Sequence, residues 1–111
     1  MNATDWLVIC MRMVEWGSTL FEKFTLQRKN GGTYENIVPS DVFAVLETYS
    51  QTPQTLAPLS CRNIGTGTYV VSFYADKATT QTDKLYYITL YWEYSDDKMC
   101  ERVLVKVVVD R

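Results

Sequence analysis

The sequence predicts an all-β protein built as a two-sheet sandwich. Three observations carry this. Short runs rich in Val, Ile, Thr, Tyr and Phe recur along the chain, punctuated by Gly, Pro, Asn and Asp. Within most runs the apolar side chains fall on every second residue, the period of a strand. The stretch Lys84 to Asp110 is the clearest case: KLYYITLYWEY and MCERVLVKVVVD read as two long strands, with Ser95-Asp96-Asp97-Lys98 turning between them.

Taken in order, Trp6 to Met13 is a short continuous apolar run, a buried strand or one that packs on a partner. Glu15-Trp16-Gly17-Ser18 ends it. Thr19 to Gln27 is the second strand, with Leu20, Phe24 and Leu26 on one face and Glu22 a misfit among them. Asn30-Gly31-Gly32 signals a turn, because these residues accept positive φ cheaply. Tyr34 to Val38 is the returning strand.

Ser40 to Tyr49 fits two patterns. As a helix, Ser40 caps the start and Val42, Val45, Leu46 and Tyr49 line one side. As a strand, Phe43, Val45 and Tyr49 share a face with Glu47 among them. The strand is favoured, since its flanks are β and a lone short helix is marginal. Ser50 to Ser60 reads as a loop, because Pro53 and Pro58 lack the donors a ladder requires. Leu56 and Leu59 are candidates to pin it to the body.

Cys61 to Ile64 is a short strand, Gly65 to Thr68 a turn, and Tyr69 to Ala75 a clear strand. Tyr69, Val71, Phe73 and Ala75 point one way; Val70, Ser72 and Tyr74 point the other. Asp76 to Asp83 is a polar loop. In the hairpin, Tyr86, Ile88, Leu90, Trp92 and Tyr94 form the inner face, joined by Val103, Val105, Val107 and Val109. About seven strands with turns between them suit two packed sheets in one domain spanning residues 1–111.

The faces assigned outward are less polar than a solvated surface requires. Val70, Tyr74, Tyr87, Tyr91, Leu104 and Val108 all lie there. A contiguous apolar patch of more than a few hundred Å² marks a contact surface. Either the N-terminal strand or the 50–60 loop covers these residues, or a partner does. With Trp6 on the N-terminal run, they are the candidate protein interface.

Composition narrows the function. The net charge is −2 with both signs interspersed, so there is no basic stripe for nucleic acid. The N-terminal apolar run follows Asp5, ends at Arg12 and is too short for a signal peptide. No stretch reaches the ~18 apolar residues that span a bilayer. Without a secretory signal, the glycosylation pattern Asn2-Ala3-Thr4 reads as chance. Three cysteines, Cys10, Cys61 and Cys100, are odd in number and widely spaced, which favours a reducing site of synthesis over a disulfide framework. Cys10 and Cys100 are expected as small buried hydrophobes, and a bridge between them stays open should their strands be neighbours.

There is no histidine. That removes Ser-His-Asp and Cys-His nucleophilic sites, His-bearing metal sites and the usual base near neutral pH. Three scattered cysteines make a poor zinc site. Asp96-Asp97 with Glu93 and Glu101 lacks the calcium-loop pattern and reads as a hairpin tip kept soluble by charge. Gly65-x-Gly67 precedes a strand rather than a helix, so it is a turn and not a phosphate cradle. No catalytic residue, cofactor or metal is expected.

The order of motifs carries a resemblance. Gly17-Ser18-Thr19 leads into LFEKFTLQ and a Gly-Gly turn. Later come Gly67-Thr68-Tyr69-Val70-Val71-Ser72-Phe73 and then Asp83-Lys84-Leu85-Tyr86-Tyr87, opening the hairpin that ends in VLVKVVVD. Over roughly residues 17 to 110 this resembles the immunoglobulin-like β-sandwich domains of phage tail, baseplate and capsid-associated proteins. The Cys-Trp-Cys arrangement of antibody domains is not matched, and the N-terminal DWLVICMRM lies outside the pattern, as an added strand or a docking arm within residues 1–16. The resemblance implies an Ig-like antiparallel sandwich and a non-enzymatic virion structural protein. As capsid cement or as a tail or baseplate component, it would bind other virion proteins or copies of itself in a symmetric assembly, in a virion made in the host cytoplasm. The alternative is a carbohydrate- or ligand-binding module that stacks sugars on Trp16, Trp92 or loop tyrosines.

Overall fold

The computed structural model describes residues 11–109. Nine strands follow in chain order: β1 (Arg12–Glu15), β2 (Thr19–Thr25), β3 (Gln27–Asn30), β4 (Thr33–Asn36), β5 (Ser40–Thr48), β6 (Thr55–Gly65), β7 (Thr68–Tyr74), β8 (Lys84–Tyr94) and β9 (Asp97–Val108). Seven join in the order β1-β9-β8-β5-β6-β7-β2, while β3 and β4 form a separate hairpin.

The seven-stranded ladder folds over at β6. The first half of β6 pairs with β5, from Thr55 opposite Glu47 to Leu59 opposite Ala44. Its second half pairs with β7, from Ser60 opposite Ser72 to Gly65 opposite Thr68. The result is a larger layer of β1, β9, β8, β5 and the start of β6, facing a smaller layer of the end of β6, β7 and β2. All neighbours are antiparallel except β1 and β9, which run parallel.

The alternation in the sequence explains why the layers meet. Tyr86, Ile88, Leu90, Trp92, Val105 and Val107 from the larger layer are buried in one cluster with Phe24, Val71 and Phe73 from the smaller. Burying side chains of this size contributes on the order of 2 kcal/mol each. The grouping of β2, β7 and β6 against β5, β8 and β9 is the immunoglobulin-like sandwich. Tyr86 supplies a further mark of it. It is buried near the start of β8, and its hydroxyl accepts a hydrogen bond from the Gln81 backbone N–H at 3.0 Å, a tyrosine corner. Two residues on stands Ile88, where an antibody domain carries its second cysteine.

Two turns set the geometry. Ser95 and Asp96 both have positive φ (51° and 66°) between the paired Tyr94 and Asp97. That is a two-residue loop whose twist matches the flanking strands. It is tighter than the four residues expected, and Asp97 and Lys98 join β9. At Gly67 (φ 68°), an added Cβ would sit 2.6 Å from the Ile37 carbonyl oxygen and 2.9 Å from that of Leu26. The Leu26 N–H donates to the Gly67 oxygen at 2.7 Å, and the Ile37 N–H to the Leu26 oxygen at 3.0 Å. The root of the β3–β4 hairpin is thereby tied to the β6–β7 turn.

Several expectations are corrected. The run Thr19 to Gln27 breaks at Leu26, which is buried, and splits into β2 and β3. Ser40 to Tyr49 is a strand, as favoured, with a register shift after Ser40 and Asp41 at φ 52°. Ser50 to Ser60 is not wholly a loop, because β6 begins at Thr55 and contains Pro58. Proline is tolerated there because this half of β6 ends the larger layer, so one flank has no ladder to supply. Leu59 packs on the core, but Leu56 is exposed. Cys100 is exposed rather than buried, and Val109 lies past the last strand, half open to solvent. Trp6, Cys10 and the Asn2-Ala3-Thr4 pattern lie outside the described residues.

Candidate protein-contact surface

The central part of the larger layer's outer face is built from three rows of side chains. Register places Phe43, Tyr91 and Cys100 in one row, Val45, Thr89 and Arg102 in the next, and Glu47, Tyr87 and Leu104 in the third. Residues in a row lie side by side on neighbouring strands, where cross-strand contacts form. Phe43 and Tyr91 stack with centroids 5.2 Å apart and planes 17° apart. Tyr49 tilts against Tyr87 at 5.4 Å. The Arg102 guanidinium lies 5.9 Å from the centroids of both Tyr87 and Tyr91, within cation–π range.

Beneath this aromatic cover sits a carboxylate. Glu47 is only 3% exposed, and Thr89 beside it is fully buried. Thr89 Oγ1 donates to Glu47 Oε1 at 2.5 Å, Tyr91 Oη donates to Oε2 at 2.5 Å, and Arg102 Nε donates to Oε1 at 3.2 Å. Arg102 Nη2 also donates to Tyr91 Oη at 3.1 Å. A buried charge persists only when it is paired and hydrogen-bonded. Burial pushes the Glu47 carboxyl up, but Thr89, Tyr91 and Arg102 together outweigh it and hold the group below the usual carboxylate range. Burial, then the bond to Glu47, pushes the Tyr91 phenol above its ordinary value. Tyr91 and Arg102 are thus held in place from below, and their upper surfaces form a preset aromatic and cationic platform.

Tyr87, Tyr91 and Leu104 come together on this face, and Val108 lies further along it beyond Lys106, all of them half-buried. Val70 and Tyr74 do not join them. They lie on β7, on the outer face of the smaller layer, across the sandwich, where Val70 pairs with Lys23 and Arg62. Trp6 lies outside the described residues. Phe43, 53% exposed, and Tyr49, 46% exposed, belong to the platform but were not singled out from sequence. Nor were Glu47, Thr89 and Arg102. Their one signal was a carboxylate at an alternating position between Val45 and Tyr49.

The tryptophans proposed as sugar platforms are turned inward. Trp92 is 8% exposed within the core, and Trp16 packs against that core with Lys77 over its ring at 5.5 Å. Among the described residues, no three His, Cys, Asp or Glu side chains gather as a metal site.

Architecture and surface define a class: an immunoglobulin-like sandwich with an aromatic outer sheet face. Among solved structures, the crystal structure of the titin M3 domain is similar, with a TM-score of 0.52 over 88% of this chain and 86% of that one. Sequence identity is 11%, so the likeness concerns the fold alone. No family profile and no curated protein matches the chain.

Proposed function

We propose that this chain is a non-enzymatic structural module that binds neighbouring protein subunits through the outer face of β5, β8 and β9. One observation carries the reading: Tyr91 and Arg102 are locked by the buried Glu47 while Phe43 and Tyr49 beside them stand about half exposed. Pre-ordered Tyr, Phe and Arg side chains lose little entropy on contact and are the usual anchors of protein interfaces. The likeness of the motif order to phage virion domains extends the reading. The partners are then other virion proteins or further copies of this chain in a symmetric capsid, tail or baseplate assembly.

The test is solution mass by light scattering over a range of concentrations, with co-sedimentation on virus particles, for the wild type and for Tyr49→Lys. Self-association or particle binding that Tyr49→Lys weakens is the expected result. A wild-type chain that stays monomeric at every concentration and leaves particles untouched overturns the reading.

A further inference from the structure

We propose that the cleft at the β5 bulge is a socket for one arginine side chain of a partner protein. The inference rests on the contact-surface reading above and names the anchor that the surface takes.

The cleft exists because the β5–β8 ladder opens. Ser40 pairs with Glu93 and Phe43 with Tyr91, so the two residues Asp41 and Val42 face the single Trp92. Such bulges bend a strand and re-aim its side chains, and they recur beside binding sites. Asp41 takes the extra turn at φ 52°, a conformation aspartate tolerates better than most residues. The cavity is about 180 Å³, with Asp41, Phe43, Tyr91, Glu93, Lys98 and Met99 on its walls. That is below the ~300–1,000 Å³ of a drug-sized ligand site and suits a single side chain.

Its chemistry selects a cation with a flat, apolar body. Phe43 and Met99 are exposed apolar walls. Asp41 and Glu93 bring two carboxylates, and among the described residues neither forms an ion pair, although Lys98 lies opposite Glu93 on β9. The chain twice satisfies this same combination with its own arginines. Arg102 lies over Tyr91 and donates to Glu47. Arg28 lies over Tyr94 and donates to Glu35 at 2.6 Å. At the bulge the exposed Phe43 ring and the two carboxylates stand together without a guanidinium, because Arg102 lies over Tyr91 and Tyr87 and bonds Glu47. Arginine fits better than lysine, because its planar fork stacks on rings and binds carboxylates through two bonds.

The probe is N-acetyl-L-arginine methylamide, titrated into the ¹⁵N-labelled full chain and followed by amide shifts. The neutral norleucine analogue and a neutral oligosaccharide serve as controls. Shifts confined to Asp41, Phe43, Tyr91 and Glu93 with the arginine probe alone are expected. Asp41→Asn with Glu93→Gln should weaken the response about tenfold or more, the worth of one charged hydrogen bond. Lys98→Gln should strengthen it, since a like charge leaves the cleft. Unchanged core amides at Ile88 and Leu90 report that the variants fold, and Phe43→Ala gives a second variant that keeps both charges. The socket is overturned if no shift occurs, if norleucine or the oligosaccharide shifts the cleft equally, or if the double variant responds like the wild type. The titration needs no subunit partner, so it succeeds or fails separately from the assembly test.

Discussion

Glu47 and Thr89 stand diagonally across neighbouring strands, and the threonine hydroxyl donates a 2.5 Å hydrogen bond to a carboxylate only 3% exposed. The carboxylate lies on the outer face of the larger layer, away from the core. It tolerates burial because Tyr91 and Arg102 supply the remaining donors. The polar network lies under the rings and ties β5, β8 and β9 to one another.

Removing that carboxylate strands its donors. In Glu47→Ala the Thr89 hydroxyl is left buried without its acceptor, while the partly exposed Arg102 can turn to water. The expected cost is about 2–3 kcal/mol. Glu47→Gln keeps an acceptor for Thr89 and should cost less, about 1–2 kcal/mol. Urea denaturation of both variants against wild type measures the difference, and equal stability of all three would refute the network's role.

The same group makes stability depend on acid. Its folded pKa is depressed, so the unfolded chain binds the proton more tightly. The contribution is fully present above the ordinary carboxylate value, about 4.3, and is lost as pH falls from there through the folded value. Denaturation midpoints measured from pH 7 to pH 3 should fall on the acid side, and Glu47→Gln should flatten that fall.

Gly67→Ala addresses the hairpin root. The new methyl would meet two backbone carbonyl oxygens, at 2.6 and 2.9 Å, in a conformation that costs a non-glycine residue about 1–2 kcal/mol even in open space. Backbone cannot swing aside as a side chain can. A loss above about 2 kcal/mol is expected by thermal or chemical denaturation, with faster amide exchange at Leu26 and Ile37, whose bonds run through this point. Gly31→Ala is the control. An added Cβ there meets nothing within 4 Å, so only the backbone cost remains.

Much of the fold was legible in the residues. The inward faces of β7 and β8 follow from a period of two, which is a local property, and the strand at Ser40, where two periods fit, follows from its β flanks. The Glu22 misfit is answered only by tertiary structure: it is nearly buried beside Arg12 of the facing layer, whose Nε lies 3.3 Å away. Reading fails where the chain breaks its own local rules. Pro58 argued for a loop, yet it sits in β6, since a strand at the end of a layer needs one ladder only. The bulge at Asp41 follows Pro39 and Ser40, residues that signal a turn but not the register shift that the β5–β8 ladder takes there.

By itself, then, the chain's alternation determined that strands form and which side of each is greasy. Tertiary structure alone decided which outward residues meet. Val70 and Tyr74 were separated from Tyr87 and Tyr91 because β6 crosses from one layer to the other, and no local pattern announces that crossing. Glu47 found donors 42, 44 and 55 residues away along the chain. Alternation depends on a residue's neighbours in sequence, whereas strand order and register are settled by how all the buried faces fit at once.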